Sequence, residues 1–265
     1  MPYAIAAAEA APTRFSRRTR EGSTIWRTDY FGPPPSPTGS NSVDPSAPPT
    51  VEYADPAPGE TRPPQAFLVE QEPGAIVHPH FHYVDQFQVA VAGGGTLGRH
   101  AVGPVTVHFS AACTGYGPIT PGEAGLKYFT LRASADGTGA QFLPASRERM
   151  RPGARRNLVL DPIAPASATE RAARTESTLE SVVSEADGLA VQVFRLAPGA
   201  HATTPDPGKG AGQSMIVLAG EVRCLGKRLD PLSALFVRPE EDSLYVRASE
   251  DGADLLILQY PRKAA

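Results

Sequence analysis

Several features that define other protein classes are scarce in this sequence. It has two cysteines among 265 residues, and Cys113 and Cys224 are so far apart that no disulfide framework is expected, which favours a reducing, cytoplasmic location. No apolar run reaches the roughly 18 residues of a membrane-spanning helix, and the N-terminus lacks the basic region of a signal peptide. Lys and Arg number 25 against 28 Asp and Glu, so the basic stripe of a nucleic-acid-binding protein is not expected.

Segments with helical periodicity are also scarce, and the best of them, residues 168–181, is typical of one helix or a polar loop. Proline (28) and glycine (25) are frequent and lie mostly between short apolar runs. This pattern predicts many short strands joined by turns, as in an all-β sandwich or barrel.

The composition divides the chain into four parts. Residues 1–64 are predicted to form an N-terminal arm, in which 24–31 (TIWRTDYF) is a candidate strand. Residues 33–60 are expected to lack regular structure, or to cross to a neighbour as an extended arm, because proline removes backbone donors. Residues 65–143 and 182–265 are predicted to be two β domains, and residues 144–181 are expected to connect them.

An internal repeat relates the two β domains. Gln86, Gly93 and Pro104 each recur 127 residues later. Their counterparts are Gln213, Gly220 and Pro231. A single offset shared by three residue types is difficult to obtain by chance, so the repeat predicts two copies of one fold unit.

The chemistry of the first copy is concentrated in residues 74–93. When this segment is read with the period of a strand, its odd positions are mostly aromatic or aliphatic and its even positions mostly imidazole or amide. The even set includes His78, His80, His82, Gln86 and Gln88. Buried imidazoles must be hydrogen-bonded or metal-bound, and two on one strand face can share an ion. Three interpretations remain open: a surface strand, a hydrogen-bonded pocket without metal, and a metal site.

The spacing of this segment resembles the first motif of the cupin family, G-x5-H-x-H-x(3–4)-E-x6-G. The matching residues are Gly74, His80, His82 and Gly93, with Gln86 in place of the acid. The resemblance implies one divalent ion (Fe, Mn, Ni or Zn) held by the two histidines and the side-chain oxygen of the glutamine. A second register would keep an acid but break both glycine spacings. It would use His78, His80 and Asp85.

The second cupin motif, G-x5-P-x-G-x2-H-x3-N, is matched only at Gly115 and Pro121. Its histidine ligand falls on Leu126, so a fourth ligand must come from elsewhere. The first domain has two histidines outside the histidine strand, His100 and His108. His108 is the better candidate because it lies inside a strand-like segment and its repeat partner, Leu235, is a core-type residue. The other interpretation of His108 is a core histidine bonded to the backbone.

The second copy resembles the family more faintly, because prolines and a lysine stand where the histidines would be. These residues are Pro205, Pro207 and Lys209. No metal is expected there, and this domain is expected to serve packing, dimerisation or closure of the first pocket.

The resemblance implies two tandem cupin barrels, an all-β double-stranded β-helix or jelly-roll fold that hosts many reactions. The leading hypothesis is a metal-dependent enzyme, with a dioxygenase as one option, acting on a small organic acid or phenolic substrate. Tyr116 and Tyr128 would line its pocket as hydroxyl donors or acids, or would be core residues. The alternative is a non-catalytic ligand-binding or structural bicupin. A homodimer is expected because the odd face of the histidine strand is apolar, and neither nucleic acid nor membrane is an expected partner.

Overall fold

The computed structural model describes residues 1–19, 21–33, 53–57 and 59–262. The chain forms two compact units, one of Thr13–Ala164 and one that joins Met1–Pro12 to the chain from Pro165 onward. Each unit is built on an antiparallel sheet of eight strands. Within the described ranges, no helix is long and apolar enough to cross a bilayer.

Short strands dominate the chain, as the proline and glycine spacing predicts. In chain order the elements are β1 (Tyr3–Ile5), α1 (Ala7–Ala10), β2 (Phe15–Arg18), β3 (Thr24–Phe31), β4 (Gln65–Gln71), β5 (His80–Phe81), β6 (Gln86–Leu97), β7 (His100–Val102), β8 (Val107–Ser110), β9 (Ile119–Arg132), β10 (Gln141–Phe142), β11 (Asn157–Val159), α2 (Ala168–Ala172), β12 (Thr178–Ser184), β13 (Ala190–Leu196), β14 (His201–Thr203), β15 (Gln213–Cys224), β16 (Lys227–Leu229), β17 (Ala234–Val237) and β18 (Tyr245–Gln259). Single 3₁₀ turns cover Ala11–Thr13, Arg147–Arg149 and Pro207–Lys209.

The two sheets repeat one topology. The first has the order β11-β8-β6-β9-β4-β3-β2, with β7 beside β6. The second has the order β1-β17-β15-β18-β13-β12, with β16 beside β15 and β14 beside β18. Strands β15, β16 and β17 each begin 127 residues after β6, β7 and β8. The predicted tandem repeat of one all-β unit is therefore confirmed.

The repeated glycine has a structural reason in both units. Gly93 and Gly220 have φ values of +69° and +72°, and a Cβ on either would collide with a backbone carbonyl of the facing strand. The colliding carbonyls belong to Gly125 and Gly252, which are themselves 127 residues apart. Only glycine allows both the positive φ and this close approach of two strands.

The structure divides the chain differently from the four predicted parts. The predicted arm contributes β1 to the second unit, where it pairs with β17, and β2 and β3 to the first. The predicted connection contributes β11 to the first sheet, and α2 and β12 to the second unit. Strands β1 and β11 have three residues each and lie at the edges of their sheets. They are too short to show a period of two, which is why composition alone assigned them to the arm and the connection.

Other local predictions have mixed outcomes. The candidate strand at 24–31 is β3. In the segment 168–181, the helix ends after one capped turn, in which Ser167 accepts from the backbone of Glu170, and β12 then begins at Thr178. Much of the stretch 33–60, predicted to be irregular, lies outside the described residues, and residues 53–57 have no regular structure.

The apolar face of the histidine strand is covered within the protomer. Phe81, Phe87 and Val89 are fully buried, and the ring of Phe87 lies 5.0 Å from that of Phe109. Most of the apolar surface that led us to expect a homodimer is thus already buried. The homodimer stays a prediction without that support.

Candidate functional site

The backbone of the first unit brings the predicted site residues together. His80 on β5 pairs with Tyr116 through two reciprocal backbone hydrogen bonds of 3.0 Å. Strands β6, β8 and β9 then direct further polar side chains into the same interior. The four predicted metal ligands are all buried, with exposed fractions of 3% for His80, 8% for His82, 1% for Gln86 and 3% for His108.

Arg132, a residue that sequence reasoning missed, lies among them. Its Nη2 donates to His82 Nε2 at 3.0 Å, and its Nε and Nη2 both donate to Gln86 Oε1 at 3.2 and 3.0 Å. Its Nη1 donates to Gln65 Oε1 at 2.7 Å. A guanidinium is always charged and can only donate, so it fixes all three neighbours as acceptors.

Asp136, also missed from the sequence, balances that charge. Its carboxylate accepts from His82 Nδ1 at 2.7 Å and from the hydroxyl and backbone amide of Thr138 at 2.6 and 2.9 Å. Burial and the nearby Arg132 charge lower the pKa of His82 to about 4. Burial alone would raise the pKa of Asp136, but the His82 hydrogen bond and the Arg132 charge hold it well below its usual value. A neutral His82 therefore bridges a buried ion pair.

A second chain of hydrogen bonds leaves Arg132 through Gln86. The amide nitrogen of Gln86 donates to the hydroxyl of Tyr116, which donates to His80 Nε2 at 2.7 Å. His80 Nδ1 donates to the carbonyl of His78 at 2.7 Å. Burial lowers the pKa of His80 to about 3 and raises that of Tyr116, so both are neutral. We call this set the Arg132 relay; it comprises Asp136, His82, Arg132, Gln86, Tyr116 and His80.

His108 points inward but belongs to a separate group. Its two ring nitrogens lie 2.8 Å from Gln88 Oε1 and 3.1 Å from Asn157 Oδ1, and its ring centroid is 4.9 Å from that of Tyr116. Burial lowers its pKa to about 4. Because neutral imidazole carries one N–H, one of the two amides must present its NH₂ group to the ring.

The structure also gives the positions of the other predicted site residues. Tyr128 is buried, its pKa raised by burial, and it lines a cavity of about 30 Å³ beside Leu126. His78 lies at the surface, 3.4 Å from Glu21, and Asp85 accepts from the backbone of Ala112 at 2.8 Å. The second register for metal binding is therefore not assembled.

The atoms that would bind a divalent ion are engaged by protein donors. Nε2 of His82 and Oε1 of Gln86 accept from Arg132, and Nε2 of His80 accepts from Tyr116. A guanidinium in contact with two of these three atoms would repel a divalent cation. Among the described residues, no three His, Cys, Asp or Glu side chains form a metal-ligand group. This arrangement does not fit a divalent ion, and the predicted ligand set remains a prediction that requires Arg132 and Tyr116 to turn away.

The corresponding region of the second unit is neutral. Val77 pairs with Ile119 in the first unit, and Ala202 pairs with Val246 in the second. Ala202 follows Val77 by 125 residues, so the offset of this part of the repeat is two residues shorter than that of the strands that follow. Pro205 and Pro207 consequently align with His80 and His82, rather than with His78 and His80 as the offset of 127 predicts. Gln213 donates to Gln259 Oε1 at 2.7 Å and to the Pro205 carbonyl at 3.1 Å.

No protein-family model and no curated protein matches the sequence, but solved structures resemble it in fold. A putative dioxygenase from Nostoc punctiforme, 12% identical, matches with a TM-score of 0.58 over 100% of this chain and 81% of its own. The fold is that of a bicupin. Pirin YhhW from Escherichia coli in complex with nickel(II) is 13% identical to this bicupin, with a TM-score of 0.50 over 98% of this chain and 100% of its own. An 11S allergen from Cocos nucifera is 13% identical, with a TM-score of 0.51 over 100% of this chain and 90% of its own. Such low identities establish the fold alone.

Proposed function

We propose that this bicupin binds a small organic molecule in its first unit without a resident metal ion, and that its second unit is structural. The observation that carries the proposal is the position of Arg132, whose guanidinium donates to His82 Nε2 and Gln86 Oε1. These are two of the atoms through which the resemblance implies metal binding. A fixed protein cation thus takes the place of the ion.

The proposal is supported by the contrast between the two units. The second unit has a large apolar core cluster, which includes Leu196, Met215, Val217, Leu235, Val246 and Ile257. The first unit instead buries three neutral imidazoles, a cation and a carboxylate. Buried polar groups cost stability unless every one is bonded. The second unit also buries a carboxylate, Asp254, which pairs with Arg174 and Arg195, but its one histidine, His201, is exposed. Among the described residues, buried imidazoles therefore occur in the first unit alone, and this difference favours a functional role for that unit.

A metal-dependent cupin enzyme, with dioxygenase activity as one option, is the second candidate. It is favoured by one observation: the rings of His80 and His82 lie 5.2 Å apart in an edge-to-face arrangement. Two imidazoles at that separation can reach one ion at about 2.1 Å from each nitrogen. This candidate requires the relay to open.

Metal analysis decides between the candidates. Purified full-length protein is incubated separately with Fe(II), Mn(II), Ni(II) and Zn(II), desalted and analysed for bound metal. We expect little retention by the wild type. Arg132→Gln should retain more, because it removes the repelling charge and frees His82 Nε2. Arg132→Lys is the matched control, since it keeps the charge and should still exclude the ion.

A full equivalent of metal in the wild type, lost in His80→Ala/His82→Ala and kept in His201→Ala, would overturn the metal-free proposal. His201 is an exposed histidine of the second unit, so its substitution controls for loss of an imidazole. An oxygen-uptake assay on the loaded protein would then test the enzyme candidate.

A further inference from the structure

An open cleft lies outside the Arg132 relay on the first unit. It is formed by the β6–β7 turn, the loop that precedes β9, and strand β11 with the residue after it, and its volume is about 570 Å³. Clefts of roughly 300–1,000 Å³ are typical of sites for small organic ligands. The small cavity beside Tyr128 could hold little more than a water molecule, so it is too small for such a ligand.

The charges around the cleft have one sign. Arg99 lines it and is exposed, and no described residue forms an ion pair with this guanidinium. His100 stands next to it, and none of the lining residues that the structure describes is acidic. Guanidinium groups bind carboxylates through two parallel hydrogen bonds. The cleft therefore suits an anionic group.

Most of the other side chains of the lining are apolar. They belong to Leu97 and Leu158–Leu160, and the ring of Tyr116 and the side chain of Asn157 complete the lining. An inorganic anion would leave these side chains uncovered. A ligand that matches both parts carries an anionic group on an apolar body.

Two cleft residues also contact the buried polar groups. Tyr116 donates to His80 Nε2 at 2.7 Å, and the side-chain amide of Asn157 lies 3.1 Å from His108 Nε2. A molecule in the cleft would thus touch the outer members of both buried polar groups without displacing Arg132.

We propose that the cleft binds an organic monocarboxylate with an apolar body, with the carboxylate on Arg99 and the body against Leu158–Leu160 and Tyr116. The inference rests on the proposed function in that both place a small ligand in the first unit. It requires no change in the Arg132 relay.

The test is calorimetric titration of chelator-treated full-length protein with benzoate and with 3-methylbutanoate. Benzamide, which has the shape of benzoate without its charge, should bind more weakly than benzoate. We expect Arg99→Gln to weaken benzoate binding about tenfold or more, the usual effect of losing a charge-assisted hydrogen bond. Arg147→Gln is the control, because it removes an equal charge from an exposed position of the same unit.

Equal benzoate affinity in the wild type and Arg99→Gln would overturn the cleft assignment. If the loss appeared instead in Arg132→Gln, the ligand would lie in the barrel interior, and the proposed function would stand while this inference fell. Failure of both carboxylates to bind the wild type would overturn the inference as well. The metal content of the wild type tests the proposed function separately.

Discussion

Replacing Asp136 by asparagine would remove the negative charge of the buried ion pair with little change in side-chain size. The carboxylate accepts from His82 at 2.7 Å, and His82 accepts from Arg132 at 3.0 Å. The variant keeps these atoms in place but leaves the guanidinium without a counter-charge. Removing one partner of a buried ion pair costs about 3–5 kcal/mol, so we expect a loss of that size for Asp136→Asn.

A second substitution separates the charge effect from other losses. Arg132→Gln alone should destabilise by a similar amount, because it leaves the Asp136 carboxylate buried and unpaired. The double variant has no buried charge in this pair and a glutamine where the second unit has Gln259. Its loss should fall short of the sum of the single losses by about 2 kcal/mol or more, the coupling expected for residues in one network.

Urea unfolding followed by tryptophan fluorescence measures the free energy of unfolding of the first unit in each variant. The chain has one tryptophan, Trp26, and it lies on β3 of the first sheet. The exposed pair of Arg151 and Asp55, 2.6 Å apart, supplies the control cycle, with an expected coupling below about 1 kcal/mol. Additive losses for Asp136→Asn and Arg132→Gln would refute the bridged ion pair.

Three further predictions follow from the structure. The three buried histidines of the first unit have pKa values of about 3 to 4, so below about pH 6.5 the unfolded chain takes up protons that the native state does not. Stability should therefore fall by about 2 kcal/mol per histidine between pH 7 and pH 5, and equal urea midpoints at the two pH values would contradict this. Gly220→Ala should destabilise the second unit far more than Gly226→Ala, since both glycines have positive φ but only the first has a carbonyl in the place of the new Cβ; circular dichroism melts compare them. Light scattering at micromolar concentration tests the predicted homodimer, and a strict monomer would exclude it.

The repeat and the histidine strand could be predicted from sequence because their signals are local or periodic. A period of two predicts that His80, His82 and Gln86 share one face. Their side chains do meet in the interior, although residues 82–85 lie between β5 and β6 and not in a strand. The repeat needs only matching residue types at one offset. Both features can be recognised without knowledge of which strands pair.

The Arg132 relay could not be predicted in the same way, because its members meet through long-range pairing. Arg132 contacts Gln86 across 46 residues, and Asp136 contacts His82 across 54. One signal was available in the sequence. Arg132 lies at an even position of β9, as do Tyr128 and Thr130, so a charged residue occurs on the strand face that carries these buried side chains. The repeat gives a second signal, since Gln213 and Gln259 are also 46 residues apart and bonded.

The relay explains why glutamine stands at position 86 where the cupin motif has an acid. Gln86 accepts from Arg132 through its oxygen and donates to Tyr116 through its nitrogen. A carboxylate can only accept, so glutamate here would take the hydroxyl hydrogen of Tyr116. Nδ1 of His80 already donates to the His78 carbonyl, so Nε2 of that neutral ring has no hydrogen and must accept one. Without the Tyr116 hydroxyl hydrogen, His80 Nε2 would have no donor. With a guanidinium in the place of a metal ion, a neutral amide is the side chain that leaves Arg132, Tyr116 and His80 all hydrogen-bonded.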